Sequence, residues 1–232
     1  MMHVGLVPRR RRGVELLDDP AADAMLATRS LRDVALANRL FGGTSAVLSS
    51  LAPLLRDAAG AITLLDVGTG AGDIPERSRA LAARLGARLT TVGLERTLPV
   101  ARAARARADV TCVGDAMRLP FRDRAFDIVT CSQVLHHFTD PDAALVLREM
   151  HRVAARLVVV ADLRRSWPAA AGIWAASFAL GFHPVSRHDG VLSVLRGYRR
   201  TELAALVASA VDVTPVVRDR PGFRVTATWR TA

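Results

Sequence analysis

The chain has 232 residues, half of them hydrophobic, and a formal net charge of +10 in which every Lys/Arg position is arginine. That apolar content suffices for one domain with a large core, or a core with a cap, while two cysteines exclude a disulfide framework or a cysteine-rich zinc module. Most arginines sit between apolar positions of helical stretches (Arg77, Arg79, Arg84; Arg102, Arg105, Arg107), so the charge reads as solvated helix faces rather than a nucleic-acid stripe.

Residues 1–18 read as a polar tail with a basic run at 9–12; no apolar stretch follows it, so no secretory signal is expected. Asp19-Pro20 then places an N-cap before a proline at the first helical position. The helical pattern runs to about Leu40 and breaks at Gly42-Gly43, and a second amphipathic helix covers roughly 45–57. From there strands alternate with single helices. Strands are predicted at 62–67, 89–94, 110–113, 126–131 and 156–161, and helices near 75–85, 98–108 and 142–153. Alternation of this kind implies an α/β fold with a doubly wound, mostly parallel sheet and right-handed crossovers. The two cysteines, Cys112 and Cys131, fall in predicted buried strands.

The last third differs. Residues 164–200 form an apolar insert followed by a polar, glycine-containing segment, which reads as a cap. The apolar run 167–182 contains Pro168 and Gly172 and is shorter than the ~20 residues a membrane-spanning helix needs, so it is expected to be buried. A helix at about 200–210 precedes strands at 214–218 and 223–229. Asp219-Arg220-Pro221-Gly222 joins these as an antiparallel hairpin at a sheet edge, where Pro215 is tolerated. The expected organisation is a single domain over 19–232. It comprises N-terminal cap helices (19–58), a ligand-binding core (61–162), the cap insert (164–200) and a C-terminal helix and hairpin (201–232).

The most informative stretch is 64–73, Leu-Leu-Asp-Val-Gly-Thr-Gly-Ala-Gly-Asp. An apolar strand runs into glycines at every second position, which allow a sharp turn and close approach of the backbone to a ligand. The spacing is not the G-x-G-x-x-G that seats a pyrophosphate, and Asp73 stands where phosphates would be repelled. Three more polar residues follow at the carboxyl ends of successive predicted strands. Glu95 can accept hydrogen bonds from both hydroxyls of a ribose, Asp115 from an exocyclic adenine amine with the Ala116 N–H beside it, and Ser132 lies on the same rim.

Over 64–162 the chain resembles the class I S-adenosylmethionine-dependent methyltransferases, in the style of the small-molecule group that includes quinone-ring and phenol methyltransferases. The segments that carry the likeness are LLDVGTGAGD, VGLE, GDAMRLPFRDRAFDIVTCSQVLHHF and REMHRVAARLVVVADL. The resemblance implies a Rossmann-like seven-stranded methyltransferase fold with S-adenosylmethionine as cofactor. It implies that Asp66, Gly68, Thr69, Gly70 and Gly72 face the methionine portion, Glu95 with Arg96 the ribose, Asp115 and Ala116 the adenine, and Ser132 the sulfonium region. It also makes the N-terminal helix, with Arg32, Asn38 and Arg39, the opposite wall of the pocket. Two departures stand out: Arg96 replaces a smaller residue, and Val153-Ala154-Ala155 replaces a Pro-Gly-Gly turn before the fifth strand.

Methyl transfer is an in-line displacement, so alignment and exclusion of water are the protein's main tasks. A base is needed only where the nucleophile must lose a proton, and histidine is the usual choice. His136 and His137 follow the fourth strand, where a histidine pair is common in the family and reads as structural or cofactor-shaping. His188-Asp189, in the polar part of the insert, reads as the candidate base and its orienter, with His137 as a further candidate; His183 is nearby. No metal site is expected. The expected function is methylation, favouring oxygen, of a small hydrophobic aromatic acceptor such as a phenol, quinol or polyketide-like ring. The alternatives are an RNA or DNA methyltransferase and a non-catalytic S-adenosylmethionine-binding protein. The single tyrosine and the lack of base-methylation signatures argue against nucleic acid. A cytoplasmic monomer or homodimer without a transmembrane segment is the accompanying expectation.

Overall fold

A computed structural model describes residues 7–13, 15, 16, 24–58 and 60–231. Helices α1 (Ala24–Leu40) and α2 (Gly43–Arg56) precede an alternating core. In that core β1 (Ala61–Val67), α3 (Asp73–Arg84), β2 (Arg88–Glu95), α4 (Leu98–Ala104), β3 (Val110–Val113), β4 (Phe126–Ser132), α5 (Asp140–Val153) and β5 (Ala154–Leu163) follow in order. Then come α6 (Trp167–Ala179), α7 (Pro184–Arg196), α8 (Arg200–Val211), β6 (Val216–Arg220) and β7 (Arg224–Arg230). One seven-stranded sheet has the order β3-β2-β1-β4-β5-β7-β6. Its first five strands are parallel, and β7 runs antiparallel to β5 and β6.

The central strands are apolar on both faces because helices cover both. Leu65, Val67, Val129 and Val158 pack with Val146, Leu147 and Met150 of α5 and Leu203 of α8. Leu64, Ile128 and Val159 pack with Val47, Leu51 and Leu55 of α2 and Ile74 of α3. Strands buried on both faces carry this continuous apolar signature rather than an alternating one. The order reverses between β1 and β2 on one side and β4 on the other, and ligands of open α/β sheets bind at such a switch point.

Several elements depart from the expectations in informative ways. The fourth helix stops at Ala104 instead of 108, closed by the Arg107 and Ala108 N–H groups, which both donate to the Ala104 carbonyl (2.9 and 3.1 Å). In the hairpin β6 lies two residues and β7 one residue later than expected, with the turn at 221–223, and of the two only β6 is an edge because β7 is sandwiched between β5 and β6. Asp19 and Pro20 lie outside the described residues.

The insert is a helical hairpin, but α6 is not buried as expected. Only Ala169, Ala170 and Ser177 are buried on it, while Trp174 is 55% and Phe178 52% exposed. A helix that is apolar all round cannot hide every face against one antiparallel neighbour. The basic run is not a loose tail either. Arg10 stacks on Tyr198 (4.0 Å to the ring centre) and pairs with Asp140 (2.6 Å), Arg12 reaches the same carboxylate (2.8 Å), and the Arg11 N–H donates to the Leu195 carbonyl (3.0 Å). Residues 7–13, 15 and 16 therefore lie as a strap against the end of α7.

Candidate active site

The apolar run of β1 ends in a loop whose shape only glycine permits. Gly68 has φ +70°, and a Cβ there would stand 2.5 Å from Val134 Cγ2. Gly70 and Gly72 also have positive φ. The Gly68 and Thr69 N–H groups both donate to the Leu94 carbonyl (2.9 and 3.1 Å), which ties the loop to β2. Below it Asp66 is fully enclosed and accepts the Thr69 and Thr130 hydroxyls (2.8 and 2.7 Å). Burial pushes its carboxyl up to about 7, against the lowering effect of those hydroxyls.

Glu95, at the end of β2, accepts the Gly70 N–H at 2.6 Å through one oxygen and the Arg96 N–H at 3.1 Å through the other. Burial raises its pKa and the two amides moderate the rise. Asp115 lies on the exposed turn after β3, where its carboxylate accepts the Met117 N–H (2.9 Å). The neighbouring Gly114 N–H donates to the Glu95 carbonyl (2.9 Å), so the two acidic positions occupy adjacent parts of one rim.

From this rim a cavity of about 550 Å³ extends beneath the cap. Its walls are largely apolar, with Leu31, Val34 and Phe41 on one side and Ile173, Phe182 and Val194 on the other. That size and character suit a small-molecule site. Asn38 of α1 lines it and accepts a hydrogen bond from Gln133, a non-glycine residue at φ +56° directly after β4. Arg32 and Arg39 do not line the cavity.

Its polar end is built from the short 3-10 turn Leu135–His137 and from β5. His136 Nδ1 lies 2.6 Å from Asp162 Oδ1, and the His136 N–H donates to the other carboxylate oxygen at 3.1 Å. A carboxylate only accepts, which places a ring proton on Nδ1 and turns Nε2 away from Asp162. That Nε2 is buried, has no hydrogen-bond partner and belongs to a residue lining the cavity. Burial alone would raise the Asp162 carboxyl, but the adjoining His136, the Leu163 N–H and His137 together hold it below the usual range. Glu15 of the strap approaches His136 Nε2 (3.7 Å) and His137 Nε2 (3.9 Å). These three side chains could together face a cation, yet Arg196 already supplies a fixed positive charge there. Its Nη1 lies 3.3 Å from Glu15 Oε1, and its Nε and Nη2 donate to the His136 and His137 carbonyls.

The expected residues divide into two sets. Asp66, Gly68, Thr69, Gly70, Glu95, Ser132, His137 and Asp189 all line the cavity. Gly72, Arg96, Asp115, Ala116 and His188 do not. Gly72 serves the loop through its backbone conformation and Arg96 through its N–H, while Asp115 and Ala116 stand on the outer rim. His188 requires a correction as the candidate base: its side chain is 58% exposed on the outer side of α7, bonded to Asp189 at 2.9 Å, and it lines a separate surface groove with Arg11 and Trp174. The helical turn sends His188 outward and Asp189 inward, which adjacency in sequence could not reveal. Asp189 instead holds the strap, accepting the Leu16 N–H (3.0 Å).

Sequence reasoning missed Glu15, Asp162, Arg196 and Arg224 in the cavity and its surroundings. Asp162 had a legible signal, an acidic residue at the carboxyl end of a predicted apolar strand. The other three had none, since they come from the strap, the far end of α7 and the last strand. Two buried polar atoms facing this region, Asp73 Oδ2 and Ser132 Oγ, have no hydrogen-bond partner, as expected of groups that meet a polar ligand.

Residues 65–158 match the model of a family described as a methyltransferase domain. The chain is 40% identical over 109 residues to a demethylmenaquinone methyltransferase of Roseiflexus sp. (strain RS-1), a match covering 45% of this chain and 43% of that protein. It is 31% identical over 159 residues to a ubiquinone biosynthesis O-methyltransferase of Idiomarina loihiensis, covering 64% of this chain and 63% of that one. These matches therefore span less than two thirds of each relative's length. The magnesium protoporphyrin IX methyltransferase of Synechocystis PCC 6803, solved with bound S-adenosylhomocysteine, superposes with a TM-score of 0.57 at 12% identity. That superposition covers 84% of this chain and 86% of that one, and reflects a shared fold.

Proposed function

We propose that the chain, whose residues 65–158 match a methyltransferase-domain family, is a class I S-adenosylmethionine-dependent methyltransferase that methylates a hydroxyl of a small, largely apolar aromatic acceptor held beneath the α6–α7 cap. The observation that carries this reading is the buried Nε2 of His136, which makes no hydrogen bond, at the polar end of an apolar cavity whose other end is the glycine loop. The residues present fit the donor. The loop at 68–70 lines the cavity, and the Glu95 carboxylate beside it suits a ribose diol. Asp73 Oδ2 and Ser132 Oγ supply buried polar atoms in need of partners. When bound, S-adenosylmethionine supplies a methyl group activated by its sulfonium, so no covalent bond to the protein is required.

The protein's own groups then have three tasks. The glycine loop, Asp66 and Glu95 fix one reactant, and the walls formed by Leu31, Phe41, Ile173 and Phe182 fix the other, which converts an encounter into a positioned reaction. The strap and cap limit entry of water. His136 Nε2 takes the hydroxyl proton, and Asp162 holds the tautomer and steadies the resulting imidazolium; positioned bases of this kind contribute roughly 10²- to 10⁴-fold. A hydroxyl nucleophile matches a ready base better than an acceptor that carries no proton to remove.

The decisive experiment supplies labelled S-adenosylmethionine with a panel of phenols, quinols and hydroxylated polyketide rings. Expected is transfer to a hydroxyl oxygen, located by NMR. Transfer to a ring carbon would sink the O-methylation part, and binding of the donor without any transfer would favour a non-catalytic role.

A further inference from the structure

One charged side chain in the cavity wall belongs neither to the donor end nor to the base. Arg224 of β7 stands directly opposite Leu163 of β5 in the antiparallel ladder, and both line the cavity. The residue is 5% exposed, and its buried Nε has no hydrogen-bond partner. Among the described residues no carboxylate forms an ion pair with it. Three other arginines of this region do have carboxylate partners: Arg164 with Asp219 (3.2 Å), Arg165 with Glu202 (2.6 Å) and Arg196 with Glu15 (3.3 Å), while Arg220, opposite Arg224 in the ladder, bonds to the Thr226 and Ser50 hydroxyls. Burial pushes the Arg224 guanidinium down to about 10, opposed by the attraction of Asp162, which is itself bonded to His136.

A cation withdrawn from water without a partner is costly. Kept in the wall of a cavity, it is poised for an anion, and a guanidinium reads a planar carboxylate through two parallel hydrogen bonds. Two carboxylates could enter this cavity, one on the acceptor and one on the donor's methionine portion. The sheet separates them. The glycine loop follows β1, whereas β7 lies three strands away across β4 and β5, about 14 Å at the usual ~4.8 Å strand spacing. His136 and Asp162 come from the ends of the intervening strands.

We infer that Arg224 anchors a carboxylate on the acceptor, so that the substrate is a hydroxylated aromatic acid rather than a neutral phenol or quinol. The word acceptor rests on the function proposed above; the preference for a carboxylate at this position does not need turnover to be measured.

The test uses the full chain saturated with S-adenosylhomocysteine and titrated calorimetrically with matched pairs, hydroxybenzoates and alkyl-substituted dihydroxybenzoates against their amides. Each acid is expected to bind at least ~10-fold tighter than its amide, Arg224→Gln to erase that preference, and its affinity for S-adenosylhomocysteine to stay unchanged. Arg224→Met is expected to raise the melting temperature of the ligand-free protein, because an uncompensated buried charge is removed. Equal binding of acids and amides by the unsubstituted protein overturns the inference, whatever the variants do. Loss of S-adenosylhomocysteine affinity in Arg224→Gln overturns it in favour of the donor's carboxylate, and a lowered melting temperature in Arg224→Met in favour of a structural cation. An intact acid preference without methyl transfer would instead refute only the proposed reaction.

Discussion

The Glu95 carboxylate accepts the Gly70 N–H at 2.6 Å, so the residue expected to hold a ribose also holds the glycine loop in place. Two strand ends are thereby joined before any ligand arrives. Glu95→Ala removes a charge-assisted bond worth about 1.5–3 kcal/mol and the ribose acceptor together. Affinity for S-adenosylhomocysteine is expected to fall ~10- to 100-fold by calorimetry; an unchanged affinity would remove Glu95 from the donor site.

The base assignment separates two histidines. His136→Ala is expected to lower kcat by about 10²- to 10⁴-fold with S-adenosylhomocysteine affinity little altered, and Asp162→Asn to lower it as well by releasing the ring. His188→Ala, on the outer face of α7, is expected to leave turnover within about two-fold, in line with the small effects of exposed substitutions. Steady-state kinetics on an identified acceptor decides between them.

Gly68→Ala places a Cβ 2.5 Å from Val134 Cγ2 on a backbone at φ +70°. The expected result is weaker donor binding and a lower melting temperature. Adding Val134→Ala relieves the contact but not the left-handed strain of about 1–2 kcal/mol, so recovery should be partial. Full recovery would mean that packing alone, and not backbone conformation, demands the glycine.

Asp66 predicts a distinctive pH profile. Its carboxyl is raised in the folded state from the ordinary 3.8 to about 7. Between those values the folded chain holds a proton that the unfolded chain has lost, so stability from this group falls as pH rises and its full cost is present above about 7. Asp66→Asn should flatten the melting-temperature slope of the ligand-free protein between roughly pH 4 and 7 relative to the unsubstituted chain. An identical slope in both would contradict the burial-driven shift.

Much of this architecture was legible in the chain itself. Apolar runs such as 62–67 and 126–131, each closed by a turn, mark strands buried on both faces, and glycines at 68, 70 and 72 mark a backbone that must bend left-handed and admit a ligand. These are local constraints: burial of a central strand and a positive φ restrict residue type position by position, whatever the rest of the molecule does. Asp66, Glu95 and Ser132, which line the cavity, stand out in the sequence because each sits at or near a strand's carboxyl end, a place set by topology alone.

What tertiary structure alone decided is which side chains meet across long sequence separations. Adjacency suggested His188 with Asp189, but one helical step of about 100° sends the first to solvent and the second inward. The bonded pair His136 and Asp162, of which His136 lines the cavity, comes from the ends of two neighbouring parallel strands, and Glu15 and Arg196 join it from the strap and from α7. Arg224 carries no signal in its own neighbourhood, since an arginine in an edge hairpin normally points to water. Its burial follows from its place in the cavity wall, on a strand held inside the sheet between β5 and β6. Local sequence determines conformation and burial; partnership between charges depends on a few ångströms of packing, which only the folded chain sets.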